Sequence, residues 1–211
     1  MRLVIFLLPG LFMASALGGC DRQNAPSPQG NGTNAAAAAP APAGSAPAAG
    51  NSASHAQYPT GRLDRSHGGT QAPDVAFQRP DGGTVRLSAF RGRPLLVNLW
   101  ATWCGPCVVE MPSLDRLAGA RPDGGGLQVL AISQDSTDGR RKVTEFFAAR
   151  SLPNLQPYLD TEMNLMMALG ADTLPTTILY DSRGREVWRM VGMAEWQSER
   201  IARLLQEADA G

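Results

Sequence analysis

The stretch that most constrains the fold is NLWATWCGPCVVEMP at 98–112. It overlaps the apolar run PLLVNLWA at 94–101, whose length and continuous hydrophobicity predict a strand buried on both faces. Beyond it, apolar side chains recur at helical spacing through 108–117. We therefore expect strand, turn and helix in succession, with Cys104 and Cys107 at the turn.

Two cysteines separated by two residues can form a working dithiol, half of a zinc site or a structural disulfide. A zinc site needs two further Cys or His ligands, and both histidines, His55 and His67, lie well before the cysteines. A structural disulfide closes too short a loop for much entropic stabilisation. Redox exchange is the leading interpretation, and we expect neither a metal nor a cofactor.

The helix that follows the turn favours one cysteine as the nucleophile. Cys104 lies where unpaired backbone N–H groups and the helix dipole favour a thiolate. We expect Cys104 to be exposed and to attack a target disulfide, and Cys107, one turn on, to resolve the mixed disulfide. Pro106 suits the first helical turn, where its missing N–H costs little. Trp103 is expected to flank the thiol, to pack, or both.

The first nineteen residues have the pattern of a secretory signal. Arg2 precedes an apolar run over 3–17, and small residues follow up to Cys20. The run is shorter than the roughly 20 residues that span a bilayer, and it is interrupted by Pro9 and Gly10. Residues 1–19 are therefore predicted to be a signal peptide, with an uncleaved anchor as the alternative.

Residues 20–70 are predicted to be a disordered tether. Its stretch over 24–54 is nearly all Ala, Pro, Gly, Ser and Asn, and it lacks an apolar face to offset the entropy of ordering. The chain carries 19 basic and 19 acidic residues, so no charge pattern indicates nucleic acid binding.

The folded domain is predicted over 71–211 as an α/β sandwich with a mixed sheet. The methionines of the helix at 162–170 are expected to fill core, since such clusters pack far more often than they bind copper. The segments expected to form this domain are strands at 74–77, 84–87, 94–101, 127–133 and 155–160, helices at 138–151, 162–170 and 195–208, and a hairpin at 176–191.

These segments resemble the thioredoxin fold over roughly residues 71–209. The resemblance lies in WCGPC after an apolar strand, in Pro112, and in TLPTT at 173–177. The separation of Cys107 from Pro175 exceeds that of plain thioredoxins by one strand and one helix. With VNLWATWC, CVVEMP and LPTTILYDSRGR, this insertion is similar to the membrane-tethered TlpA/ResA-like group.

The resemblance implies further site residues. Asn98 stands where plain thioredoxins carry a buried Asp, and Glu110, on the same helical face as Cys107, corresponds to a Glu associated with thiol pKa tuning and proton transfer. The alternative for Glu110 is a solvated first-turn acid. The Leu174–Pro175 bond is expected to be cis and to face the dithiol, leaving the Leu174 backbone free to pair with a bound peptide.

The resemblance also implies a set of residues that contact the substrate. This set comprises Trp103, Gly105, Pro106, Leu174 and Pro175.

The LGGC sequence that ends at Cys20 resembles the lipobox of bacterial lipoproteins, in which the cysteine is the lipid attachment site. Asp21 resembles a signal for retention on the inner membrane. The predicted location is the bacterial cell envelope, with a lipid anchor on the periplasmic face of the inner membrane. An ordinary signal peptide with an incidental cysteine is the alternative.

The expected function is reduction of disulfides in selected exported proteins, with recharging by a membrane electron donor. By resemblance, the targets are apocytochrome c or copper and oxidase assembly proteins. The alternatives are an oxidant or isomerase of exported proteins, a thiol peroxidase of the same fold, and a lipoprotein binding module with an inactive dithiol.

Overall fold

The computed structural model describes residues 60–120 and 126–209 of the 211-residue chain. The strands are β1 (Arg62–Asp64), β2 (Ala76–Gln78), β3 (Thr84–Arg86), β4 (Leu95–Trp100), β5 (Gln128–Ser133), β6 (Pro157–Leu159), β7 (Thr176–Tyr180) and β8 (Glu186–Val191). The α-helices are α1 (Gly105–Gly119), α2 (Gly139–Arg150), α3 (Asn164–Ala168) and α4 (Glu199–Leu205). Short 3-10 helices cover Leu87–Phe90 and Gln206–Asp209.

All eight strands form one mixed sheet in the order β1-β8-β7-β4-β5-β6-β2-β3. The central strand β4 pairs in parallel with β5 and antiparallel with β7, and β5 pairs in parallel with β6. Helices cover the sheet, and β6 and α3 form the additional strand and helix before the proline loop. The predicted thioredoxin-like fold class is confirmed.

Strand β4 separates two apolar cores and positions the site. Its six side chains are all buried, and they alternate between the two faces of the sheet as the period of a strand requires. Leu96 and Trp100 belong to the core that also contains α1 side chains, whereas Leu95, Val97 and Leu99 belong to the core on the opposite face. The same alternation directs the residue at position 98 toward α1.

The sheet begins earlier than the predicted domain boundary at residue 71. Strand β1 pairs antiparallel with β8, with Leu63 opposite Met190. Its three residues carry no apolar pattern, so only the backbone pairing to β8 identifies them as a strand. Part of the predicted tether, from Thr60 onward, therefore belongs to the folded domain.

The predicted signal peptide and Cys20 lie outside the described residues, as does most of the tether, including His55. Within the residues that the structure does describe, every helix is too short or too polar to cross a bilayer.

The expectation that the methionines around α3 fill core is wrong for two of them. Met163 is 40% exposed and Met167 is 65% exposed. A five-residue helix buries one narrow face, and here Leu165 and Leu169 occupy it, while Met166 packs in part against the same core. Met163, the N-cap residue of the helix, and Met167, within it, therefore present their thioether side chains to solvent.

Candidate functional site

The two cysteines lie where β4 gives way to α1 and form a disulfide with an S–S distance of 2.06 Å. Cys104 is the N-cap of the 15-residue helix, and its Sγ accepts a hydrogen bond from the Cys107 N–H at 3.3 Å. Pro106 lies in the first turn, as predicted, where no helical hydrogen bond needs its N–H. Gly105 begins the helix. A thiolate at Cys104 would therefore face unpaired N–H groups and the positive end of the dipole.

The two sulfurs differ in accessibility, and the difference follows the predicted roles. Cys104 retains 6% exposure, whereas Cys107 is fully buried. Cys104 therefore has the more accessible sulfur. It is far less exposed than predicted, because the walls of a groove enclose it. Trp103 is 67% exposed, which removes core packing as its role.

Glu110 is fully buried on α1, one turn beyond Cys107. Its Oε1 accepts a hydrogen bond from Asn98 Nδ2 at 2.8 Å, and its Oε2 accepts one from the Ala194 N–H at 2.9 Å. These two donors fix both carboxylate oxygens beneath the dithiol turn. A solvated first-turn acid, the alternative weighed for Glu110, is excluded.

Burial raises the pKa of Glu110 from 4.5 to about 7, because the charged form loses its hydration. The Ala194 N–H, the Asn98 amide and the Trp196 indole oppose this shift. The Trp196 Nε1 has no partner within hydrogen-bonding geometry among the described residues, and its effect on the pKa is the weakest of the three. Glu110 can therefore take up and release a proton near neutral pH.

Asn98 connects Glu110 to the neighbouring strand. It lies opposite Thr177 in the β4–β7 pairing, and its Nδ2 donates to Thr177 Oγ1 at 2.9 Å as well as to Glu110. Asn98 Oδ1 has no hydrogen-bond partner among the described residues. The amide thus orients Glu110 without adding a second acid to the buried site.

The Leu174–Pro175 peptide bond is cis, as the resemblance implied. Leu174 lines the same groove as Cys104, and Pro175 is buried immediately before β7. Neither the N–H nor the C=O of Leu174 has a hydrogen-bond partner among the described residues. An extended peptide can therefore pair with this backbone beside the sulfur.

An open groove of about 390 Å³ gives access to the nucleophile, and we refer to it as the Cys104 groove. It is lined by Trp103, Cys104, Pro106, Gln134, Met163, Met166, Asp172 and Leu174. A larger cavity of about 740 Å³ lies beside the start of α2 and shares no residue with this groove. Its Arg140 side chain donates to the Arg79 and Pro80 carbonyl oxygens, and none of its lining residues belongs to the dithiol turn.

Asp135 fixes the loop that carries the dithiol, and the sequence did not indicate this role. Its carboxylate accepts hydrogen bonds from the Thr102 N–H at 2.8 Å, from Thr102 Oγ1 at 2.6 Å and from Ser133 Oγ at 2.7 Å. The strand topology does indicate this role, because β4 and β5 are parallel and their carboxyl ends meet at one edge of the sheet. A buried polar residue just after β5 was therefore a candidate neighbour of Cys104.

The other two groups near Glu110, the Ala194 N–H and the Trp196 indole, could not be predicted from the sequence. Ala194 acts through its backbone N–H, and Trp196 reads as an ordinary core aromatic. Both come from the connection between β8 and α4, far along the chain from the dithiol. In the described part of the chain, no three His, Cys, Asp or Glu side chains are grouped as metal ligands.

Comparison with known proteins places the chain in a family. The Redoxin family profile matches residues 67–205. Thiol-disulfide oxidoreductase ResA of Geobacillus thermodenitrificans is 33% identical over 118 residues, which is 56% of this chain and 65% of that protein. The match thus spans just under two thirds of that relative. ResA of Halalkalibacterium halodurans is 28% identical over 68% of this chain and 81% of its own length.

Solved structures agree with this grouping. A candidate thiol:disulfide interchange protein DsbE from Chlorobium tepidum superposes with a TM-score of 0.58 at 27% identity, covering 67% of this chain and 96% of that one. The exposed lipoprotein thioredoxin Etrx1 of Streptococcus pneumoniae gives a TM-score of 0.55 at 25% identity, covering 64% and 99%. The chain belongs to the Redoxin family, has the thioredoxin fold and is similar to thiol-disulfide oxidoreductases.

Proposed function

We propose that this protein is a membrane-tethered reductant that acts outside the cytoplasm on disulfides of selected exported proteins. The observation that carries the proposal is a buried carboxyl group, Glu110, one helical turn from the wholly buried Cys107. The sulfur of Cys104, by contrast, opens into a groove that suits a peptide. The site thus contains a residue for nucleophilic attack, a residue for proton transfer and a groove for substrate binding.

The reaction begins with the reduced protein. The Cys104 thiolate attacks one sulfur of the target disulfide, forming a mixed disulfide, and the other target sulfur leaves as a thiolate that takes up a proton. Cys107 then gives its proton to the Glu110 carboxylate and attacks Cys104 Sγ, which breaks the mixed disulfide and releases the second target sulfur as a thiolate that takes up a proton from solvent. Two electrons pass from the protein to the target, and the Cys104–Cys107 disulfide remains.

The charges around the dithiol favour reduction over oxidation. Strongly oxidising pairs have a reduced form that is stabilised, and neighbouring cations are a usual means of stabilising a cysteine thiolate. Among the described residues, no Lys, Arg or His lines the Cys104 groove, and Glu110, on the helix that begins at the dithiol, is an acid. The thiolate gains the helix N-terminus but no cation, so the protein is expected to release electrons readily.

The tether and the targets rest on sequence and similarity. Cys20 is the proposed lipid attachment site, and a similar structure is described as an exposed lipoprotein thioredoxin. A membrane-bound dithiol donor is proposed to return the disulfide to the reduced state. Cysteines of apocytochrome c or of copper and oxidase assembly proteins are the proposed targets, and the periplasmic face of the inner membrane is the proposed location.

Trapping natural targets tests this function. In a Cys107→Ser variant, Cys104 can still attack a target but the mixed disulfide cannot be resolved. We expect one or a few exported proteins to be recovered as covalent complexes from cell envelopes, and a Cys104→Ser control to recover none. A broad, unselective set of partners, or equal recovery with the control, would contradict the proposal.

A further inference from the structure

We infer that the segment around α3 makes the Cys104 groove selective for target segments that carry a bulky apolar residue beside the reacting cysteine and a basic residue nearby. The inference rests on the proposed function, because it specifies the substrate of the same site. The occupant is an extended stretch of the target polypeptide.

Exposed apolar side chains are concentrated near the dithiol. In the described residues, the large hydrophobic side chains that remain exposed are Trp103, Met163 and Met167. Two of these three, Trp103 and Met163, line the Cys104 groove together with half-buried Met166. Apolar surface left open beside a reactive sulfur, in a domain that buries its other large apolar groups, marks a binding surface.

This surface is suited to binding apolar side chains of different shapes. Methionine is unbranched and polarisable, so it adapts to different apolar partners, and the indole of Trp103 offers a rigid face. Met163 and Met166 come from the strand-and-helix segment that separates this chain from plain thioredoxins. The segment therefore contributes one wall of the groove and helps to decide which targets fit.

The wall formed by Leu174 and Asp172 sets two further requirements for the target, one through its backbone and one through its charge. The unpaired N–H and C=O of Leu174 suit an extended chain, which can place alternate side chains in the groove. Asp172, which also lines the groove, is exposed and accepts a hydrogen bond from the neighbouring Thr173 hydroxyl at 3.0 Å. Since no cationic side chain lines the groove, a Lys or Arg of the target is the complementary partner.

The test compares two synthetic peptides of one length, each with an internal disulfide. One carries Leu beside the cysteine and Arg nearby, and the other carries Ser and Glu at those positions. We expect the reduced full chain to reduce the first peptide about tenfold faster at low salt, with a smaller difference at high salt. The neutral reagent hydroxyethyl disulfide reports the intrinsic reactivity of the dithiol.

Matched variants separate the two contributions. Met163→Ser is expected to slow only the Leu peptide, whereas Met167→Ser, which alters an exposed methionine that does not line the groove, is the control and should leave both rates unchanged. Asp172→Lys is expected to reverse the charge preference, and Glu145→Lys, on the exposed surface of α2, serves as its control.

Two other results would count against the inference in different ways. Equal rates for both peptides in every variant, with normal reduction of hydroxyethyl disulfide, would overturn the selectivity and leave the proposed function standing. Failure to reduce either peptide or hydroxyethyl disulfide would overturn both.

Discussion

Asn98 and Glu110, twelve residues apart in the chain, are joined by a buried hydrogen bond of 2.8 Å from Asn98 Nδ2 to Glu110 Oε1. The bond ties the central strand to the helix that begins at the dithiol. The strand contributes an amide and the helix an acid, so the carboxyl group of this buried pair belongs to Glu110.

Replacing Glu110 with Gln keeps the shape of the side chain and removes its ability to accept a proton. We expect the attack of Cys107 on the mixed disulfide to slow by about 10²-fold, the low end of the range for a lost general base. Stopped-flow kinetics with a single-cysteine target, supplied as its mixed disulfide with glutathione, separate this step from the first attack of Cys104. Equal resolution rates in the variant and the wild type across pH 6 to 8, taken as roughly the working range, would remove the proton-transfer role.

The stability of the oxidised protein should fall as pH rises through the raised pKa of Glu110. The pKa is 4.5 unfolded and about 7 folded, so between these values the folded state binds more protons than the unfolded state. Stability from this group is complete below pH 4.5 and is lost as pH rises to about 7. The loss amounts to about 3 kcal/mol at 1.36 kcal/mol per pKa unit.

The Glu110→Gln variant is the control for this pH dependence, since its other titrating groups are the same. Denaturant unfolding at a series of pH values should give the wild type a steeper fall in unfolding free energy than the variant. Parallel curves for the two proteins would show that Glu110 does not titrate in this window.

Substituting Asn98 with Ala should destabilise the protein and raise the pKa of Glu110 above 7. The change leaves Glu110 Oε1 and Thr177 Oγ1 without their amide donor, and an unsatisfied buried group costs about 1–3 kcal/mol. Thr177→Val is the matched control, because it removes the second acceptor of the amide but leaves the bond to Glu110. Isotope-edited infrared spectroscopy or NMR of the Glu110 carboxyl carbon measures the shift, and an unchanged pKa in Asn98→Ala contradicts the account.

Asp135→Asn should loosen the loop that carries the dithiol. The variant weakens the hydrogen bonds that hold the Thr102 N–H and hydroxyl, so we expect faster amide exchange at Thr102 and Trp103 and slower reduction of targets. Asp115→Asn is the control, since Asp115 is also buried but accepts from the Asn154 and Leu155 N–H groups. If both variants change exchange in the loop equally, Asp135 has no specific positioning role.

Much of the fold follows from the sequence because its signals are local. The apolar run of β4, the helical spacing after Cys104 and the Gly and Pro positions define most of the elements within a few residues. Strand β1 was not predicted, since three residues without an apolar pattern become a strand only through pairing with β8. The exposed methionines of α3 were also misjudged, because so short a helix cannot bury every apolar residue.

The residues of the site likewise divide into those that the sequence predicts and those that it does not. Cys107 and Glu110 lie on α1 and Cys104 is its N-cap, so their spacing alone predicts a shared location. The Ala194 N–H reaches Glu110 across 84 residues of sequence, and a backbone donor carries no residue-type signal. Asp135 is an intermediate case, because the parallel pairing of β4 and β5 would have placed it near the dithiol once the topology was known.

The reduction potential of the Cys104–Cys107 pair tests the direction of electron flow most directly. It is obtained by equilibrating the protein with glutathione redox buffers and quantifying the disulfide. With an acid beneath the dithiol and no cation in the groove, we predict a value at or below about −220 mV, in the range from glutaredoxin to thioredoxin. A value close to about −120 mV, as in the oxidant DsbA, would contradict the account of this protein as a reductant.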